Sequence, residues 1–203
     1  MRRIVMFNRV TADGYFADPD GTLNWIVTDE ALDKEAADAS TASPDRGTIL
    51  FGRRTYDFFE GFWRQFDDGS AGPVPNPHAR GEESSELRAM ANFINEATKV
   101  VFSTTREDVT WRNSRLLRAF DPHQIEALKR EPGTDILVFG SGSIVSQLTQ
   151  HRLIDEYQLI VNPVMLGSGR PLVRDVSTAV PLKLLEAKAY PTGNVMLRYA
   201  RQS

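Results

Sequence analysis

Three short apolar runs constrain the fold of this chain more than any other feature: TILF at residues 48–51, VVF at 100–102 and ILVF at 136–139. An unbroken apolar run of three or four residues suits a strand buried on both faces, as in a parallel sheet covered by helices. Each run stops at a short polar or glycine-containing segment: FGRRTY (51–56), FSTT (102–105) and FGSGS (139–143). Helical spacing resumes after the first and the third, over 53–62 and 143–150.

The alternation holds along the chain. Residues 4–10 read as a first strand and 29–42 as a helix with Leu32 and Ala36 on one face. Leu87, Met90, Ala91 and Ile94 mark a further helix face. Residues 109–111 read as a short strand, and Asp121 before Pro122, with Gln124 after, opens a helix to Arg130. Residues 157–164 give a strand, and 182–190 pairs with 195–200 around the turn PTGN. The class is therefore α/β, with a central, mostly parallel sheet, helices on both faces and an antiparallel C-terminal hairpin. Residues 65–81 hold three prolines and three glycines without periodicity, and read as a surface loop, either a lid or a plain insertion.

Composition narrows the chemistry. A length of 203 residues suits one domain, 1–203, with a core that needs neither metal nor disulfide. The absence of cysteine removes disulfides, thiolate metal sites and a cysteine nucleophile, and three dispersed histidines make a histidine metal site unexpected. A net charge of -3 gives no electrostatic reason for nucleic acid or an anionic membrane as partner. No run approaches the roughly 20 apolar residues of a membrane span, and the N-terminus lacks a signal-type apolar stretch. The expectation is a cytoplasmic protein acting on a small molecule.

In a parallel sheet the three strand ends share the carboxyl edge, where open α/β folds bind ligands. Free N–H groups at helix starts, small side chains, hydroxyls and guanidinium forks all favour phosphate oxygens. Each segment also has a plainer reading. GSGS contains G-x-G, but Val145 stands where G-x-G-x-x-G needs its third glycine, so it is either a tight turn or a phosphate cradle outside the Rossmann class. Arg53 and Arg54 are either solvated charges or anion ligands; at a helix start they oppose the dipole, which favours the anion. Ser103 and Thr104 form a turn or meet a phosphate. After the first strand, TADGYFADPDGTLNW (11–25) holds two turn dipeptides, with Phe16, Leu23 and Trp25 available to wall a flat heterocycle.

Taken in order, TADGYFADPDGTLNW, ILFGRRTY, VVFST, ILVFGSGSIVSQL and NPVMLGSGRPLV resemble the dihydrofolate reductase-like family. Within it they are similar to the riboflavin-biosynthesis reductase branch, usually the C-terminal domain of a bifunctional deaminase-reductase. The resemblance implies a three-layer sandwich that binds NADPH and reduces a ribosylaminopyrimidine phosphate of the 5-amino-6-(5-phosphoribosylamino)uracil type. It places Gly52, Arg53, Arg54 and Thr55 at cofactor phosphates and Ser103 and Thr104 near the adenosine 2'-phosphate. Gly140, Ser141, Gly142, Ser143 and Ile144 line the pyrophosphate and nicotinamide side. Ala12, Asp13 and Gly14 lie near the nicotinamide and substrate, with Asp13 a substrate or proton-relay contact and Phe16 and Trp25 substrate walls.

Two departures qualify it. Thr11 replaces the serine of S-x-D-G and keeps the hydroxyl. A folate reductase needs a carboxylate facing the pterin, for which Asp29, Glu30 and Asp33 are candidates; counting from Trp25 favours Glu30, which equally suits the first turn of a helix. The resemblance covers no deaminase, so a bifunctional enzyme is not expected of this chain alone. Folate reduction and non-catalytic NADP binding are the alternatives, and a homodimer is implied.

Overall fold

The computed structural model describes residues 1–41, 47–67 and 85–202, so the loop expected over 65–81 lies outside the described residues from 68 onward. The elements run β1 (Ile4–Thr11), β2 (Tyr15–Ala17), α1 (Glu30–Thr41), β3 (Thr48–Gly52), α2 (Arg53–Trp63), α3 (Ser85–Glu96), β4 (Thr98–Phe102) and β5 (Ser114–Leu117). They continue as α4 (Pro122–Arg130), β6 (Ile136–Phe139), α5 (Gly142–Gln150), β7 (Glu156–Asn162), β8 (Arg170–Pro171), β9 (Leu182–Ala189) and β10 (Val195–Arg201).

Eight strands form one sheet in the order β5-β4-β3-β6-β1-β7-β10-β9, and β2 and β8 pair separately. The sheet is parallel from β5 to β7, while β10 runs antiparallel to both β7 and β9. Because strand residues alternate between faces, one sequence feeds two cores. Ile4, Met6, Leu50, Val100 and Val138 pack with Ile125 of α4 and Val145 and Leu148 of α5. Ile49, Phe51, Val101 and Leu137 turn the other way, onto Tyr56 of α2 and Ile94 of α3. Leu32 of α1 covers Phe7, Ile160 and Met196 on the α2–α3 side. Full burial of each such aliphatic side chain contributes about 1.5–3 kcal/mol.

The termini of the elements follow local chemistry. Asp121 Oδ1 accepts the His123 N–H at 2.9 Å and Pro122 fills the first turn, so α4 starts where the sequence places it. The buried Lys99 closes the end of α3 by donating Nζ to the carbonyls of Ile94, Asn95 and Ala97 at 2.8, 2.9 and 2.8 Å, and burial lowers its amine to about 8. Residues 109–111 are not a strand. Trp111 is buried instead against Tyr56, with its Nε1 donating to Asn95 Oδ1 at 2.7 Å, and β5 begins only after a left-handed Asn113.

The feature that positions the site is the shortness of β6. It pairs with β1 only along Ile4–Phe7 and with β3 only along Thr48–Leu50. Both neighbours run on, β1 to Thr11 and β3 to Gly52. A slot is left at the carboxyl edge of the sheet, with Phe139 and Gly140 at its floor.

Candidate functional site

A cleft of about 920 Å³ opens in that slot, walled by Asn8 and Arg9 on one side and Gly52 on the other. Its size is at the upper end for small-molecule sites. Two helices begin at its rim. The cap positions of α2 (Gly52) and α5 (Ser141) make no side-chain cap hydrogen bond, so the first N–H groups of both helices have no intrahelical acceptor and carry the positive dipole ends.

The two starts are tied together. Ser141, left-handed at φ 61, accepts the Gly52 N–H at 2.7 Å and donates to Thr55 Oγ1 at 2.7 Å. A Cβ on Gly52 would stand 2.7 Å from Ser141 Oγ, so only glycine lets the two turns cross. Gly140 has φ 59, a conformation that costs glycine little, and its N–H donates to Asn8 Oδ1 at 2.8 Å. The Ser141 hydroxyl is thus occupied in joining the helix starts, while Thr55 Oγ1 accepts there and still has a hydrogen to donate, which with backbone N–H and guanidinium groups is left for an anion.

Arg53 and Arg54 line the cleft at the start of α2. Arg53 is 44% exposed and pairs with Asp57 one turn on at 3.2 Å, while Arg54 has no ion pair among the described residues. Ser103 accepts the N–H groups of Thr105 and Arg106 at 3.2 and 2.9 Å, which forms the turn that presents Thr104 to the cleft. Arg118 joins this rim, its guanidinium donating to the carbonyls of Arg106 and Glu107.

The other half of the cleft is aromatic. Phe58, Phe59, Phe62 and Trp63 come from the later turns of α2, and Phe62 lies about 12 Å along the helix axis from Arg54. Phe59 stacks on Phe139 at 5.7 Å, and Phe7 meets Phe139 edge-on at 6.0 Å. Arg9, two residues after Phe7 on the same face of β1, donates to Asp33 Oδ1 at 2.5 Å and is only 11% exposed. Asp33 sits behind it on α1 and does not line the cleft. Burial lowers the Arg9 guanidinium and raises the Asp33 carboxyl, each offset in part by the other's charge. An ion pair whose two charges both suffer desolvation contributes little to stability.

Of the residues singled out from sequence, Gly52, Arg53, Arg54, Thr55, Ser103, Thr104, Gly140, Ser141, Gly142, Ser143, Ile144, Phe16 and Leu23 line one cleft. Ala12, Asp13, Gly14, Trp25 and Glu30 do not. Asp13 accepts the Thr11 hydroxyl at 2.5 Å and the N–H groups of Leu166 and Gly167, at 3.1 and 2.7 Å for Oδ2, and so fastens two loops together. The Thr11 hydroxyl first, then the Gly167 N–H, hold its carboxyl below the usual value. Glu30 is exposed at the first turn of α1, and Asp29 caps that helix through the Leu32 N–H at 3.1 Å. Trp25 is buried away from the cleft. Asn8, Arg9, Arg118 and the α2 aromatics were not singled out. The available signals were a polar pair interrupting an apolar first strand and the aromatic density of YDFFEGFW.

The family model of the RibD C-terminal domain matches residues 2–196. The uncharacterized protein YyaP of Bacillus subtilis (strain 168) is 26% identical, the match covering 98% of this chain and 94% of that protein. Among solved structures, a Shewanella sp. PV-4 protein assigned provisionally to riboflavin biosynthesis superposes with a TM-score of 0.71 at 20% identity, covering both chains fully. The Thermotoga maritima diaminohydroxyphosphoribosylaminopyrimidine deaminase/5-amino-6-(5-phosphoribosylamino)uracil reductase gives 0.61 at 16%, over 99% of this chain and 57% of that one. Enterococcus faecalis dihydrofolate reductase, solved with NADP(H), gives 0.59 at 12%, over 99% and 97%. These likenesses establish the dihydrofolate reductase-like fold. Among the described residues, no helix is long and apolar enough to cross a membrane.

Proposed function

The chain belongs to the RibD C-terminal domain family, and from that premise we propose that it is a cytoplasmic NADPH-dependent oxidoreductase acting on a small flat heterocycle. The observation that carries the reading is the meeting of two uncapped helix starts, with Arg53 and Arg54, at one end of a single cleft whose other end is aromatic. The donor set suits a dinucleotide: many N–H and guanidinium donors and, among the described residues, no carboxylate in the lining.

On this reading Gly52, Arg53, Arg54 and Thr55 hold cofactor phosphates, Ser103 and Thr104 with Arg118 receive the 2'-phosphate, and residues 140–144 line the pyrophosphate and nicotinamide side. Bound NADPH supplies a hydride, which with one proton reduces a C=N or C=O bond of the substrate. The chain's own residues orient the ring against the aromatic wall and exclude water from it. Asp13 lies away from the cleft and acts by fixing loops, and on this reading a water molecule supplies the proton. By family the leading substrate candidate is 5-amino-6-(5-phosphoribosylamino)uracil. Folate reduction is less well supported, because Asp33 is paired with Arg9 and does not line the cleft.

Calorimetric titration tests the cofactor assignment: NADPH binds, and more tightly than NADH. No detectable NADPH binding rejects it. We also propose a homodimer through β9, an edge strand that exposes Leu182, Leu184 and Leu185; a monomer mass by light scattering rejects that.

A further inference from the structure

Among the described residues, the aromatic half of the cleft is lined by a mostly buried cation, Arg9, and by no carboxylate. Arg9 lines it, is 11% exposed, and shares its strand face with Phe7. Phe7 leads through Phe139 to Phe59, so the guanidinium borders a continuous aromatic surface. Its position is over-determined. One amine of the fork donates to Asp33 Oδ1 at 2.5 Å and the other reaches the Val27 carbonyl at 3.4 Å, and neither Asp33 nor Val27 lines the cleft. A guanidinium has five N–H donors and no acceptor, so donors remain beyond those two contacts. The pair is also poorly explained by stability, since burial works against both charges. Asp29, the other carboxylate near it, is taken up by the Leu32 N–H and the Thr192 hydroxyl.

We propose that Arg9, braced by Asp33, selects the substrate: the site takes a planar aromatic ring that presents an acceptor oxygen, carbonyl or anionic, and rejects rings that present an amidinium-type pair of donors. Polarity at this point is then the reverse of what a lone carboxylate facing the ring would select. A uracil-type ring carries such acceptor oxygens, whereas a protonated diaminopteridine offers donors to a carboxylate that Arg9 already covers. The inference takes from the reductase reading only that the aromatic half receives the substrate. It adds which edge of the ring the protein reads.

Two probes of one shape and opposite polarity test it: 2-naphthoate and 2-naphthamidine, titrated by calorimetry into the full chain with and without NADPH. The wild-type protein binds 2-naphthoate on the order of tenfold more tightly, the value of one charge-assisted hydrogen bond. Arg9→Met uncovers Asp33 and reverses the preference. Should that variant fail to fold, Arg9→Met with Asp33→Leu removes both charges, and binds the two probes alike. Equal binding by the wild type, or a naphthoate preference that survives loss of Arg9, overturns the inference. The NADPH titration is read separately. A naphthoate preference without NADPH binding rejects the cofactor reading and leaves this one standing, while NADPH binding without the preference rejects this one alone.

Discussion

The two halves of the cleft are built by different means. The anion half is made of chain neighbours: a strand end, a glycine and a helix start at residues 51–55, and again at 139–144, bound to each other through Ser141. The aromatic half is made of strangers: Phe7 of β1 and Phe59 of α2 meet at Phe139 of β6, and Arg9 of β1 is held from behind by Asp33 of α1. A phosphate presents much the same oxygens in every nucleotide, so a local backbone device serves it repeatedly. A substrate ring differs from enzyme to enzyme, and side chains brought from separate elements can change one at a time. The difference separates what is general in the cleft from what is particular to this chain.

The sharpest way to break that division is Gly52→Leu. A Cβ 2.7 Å from Ser141 Oγ forces the two helix starts apart, at a cost of about 1–3 kcal/mol in stability. NADPH affinity falls on the order of a hundredfold, because several charge-assisted contacts are lost together. The naphthoate preference set by Arg9 survives. If NADPH affinity holds while the preference disappears, the halves are assigned the wrong way round.

A smaller effect follows from Arg53→Ala with Arg54→Ala. Removing charge-assisted phosphate contacts weakens NADPH by about tenfold or more, with NADH affected less. An unchanged NADPH constant removes both arginines from the anion half.

Asp13→Asn gives the smallest effect and touches neither half. The Asp13 carboxyl lies below its ordinary value in the folded chain, so its contribution to stability is complete above an unfolded value of about 3.9 and fades as pH drops through the folded one. The variant therefore melts lower than the wild type at pH 7, and the gap closes below about pH 4. A gap that widens on acidification refutes the loop-fastening role.

Legibility in the sequence tracks the same division. FGRRTY and FGSGS could be read because each motif carries its strand, turn and helix start in adjacent residues, and the resemblance carried by the ordered motifs named residues 52–55, 103–104 and 140–144, all of which line one cleft. The apolar runs at 48–51, 100–102 and 136–139 fall within β3, β4 and β6, since burial on both faces leaves an unbroken apolar signature. The ion pair of Arg9 with Asp33 depends on where α1 crosses β1, which no local spacing encodes. Linear counting from Trp25 pointed to Glu30, but the start of α1 turns Leu32 inward and leaves Glu30 in solvent. Residues 109–111 misled for a related reason: Trp111 has strand-like propensity, yet its buried partners, Tyr56 and Asn95, are on helices.

The position of β1 has a consequence for synthesis. Among the described residues its sheet partners are β6 and β7, so β1 waits for residues 136–162 before it can pair on either side. Contacts of such long sequence separation form late, and the floor of the cleft is made of them. Until then an apolar strand, Ile4–Thr11, stands unpaired beside partners that have not been made. The cleft is thus among the last features the chain completes, and a nascent chain lacking those strands has the arginines of the cleft without the cleft.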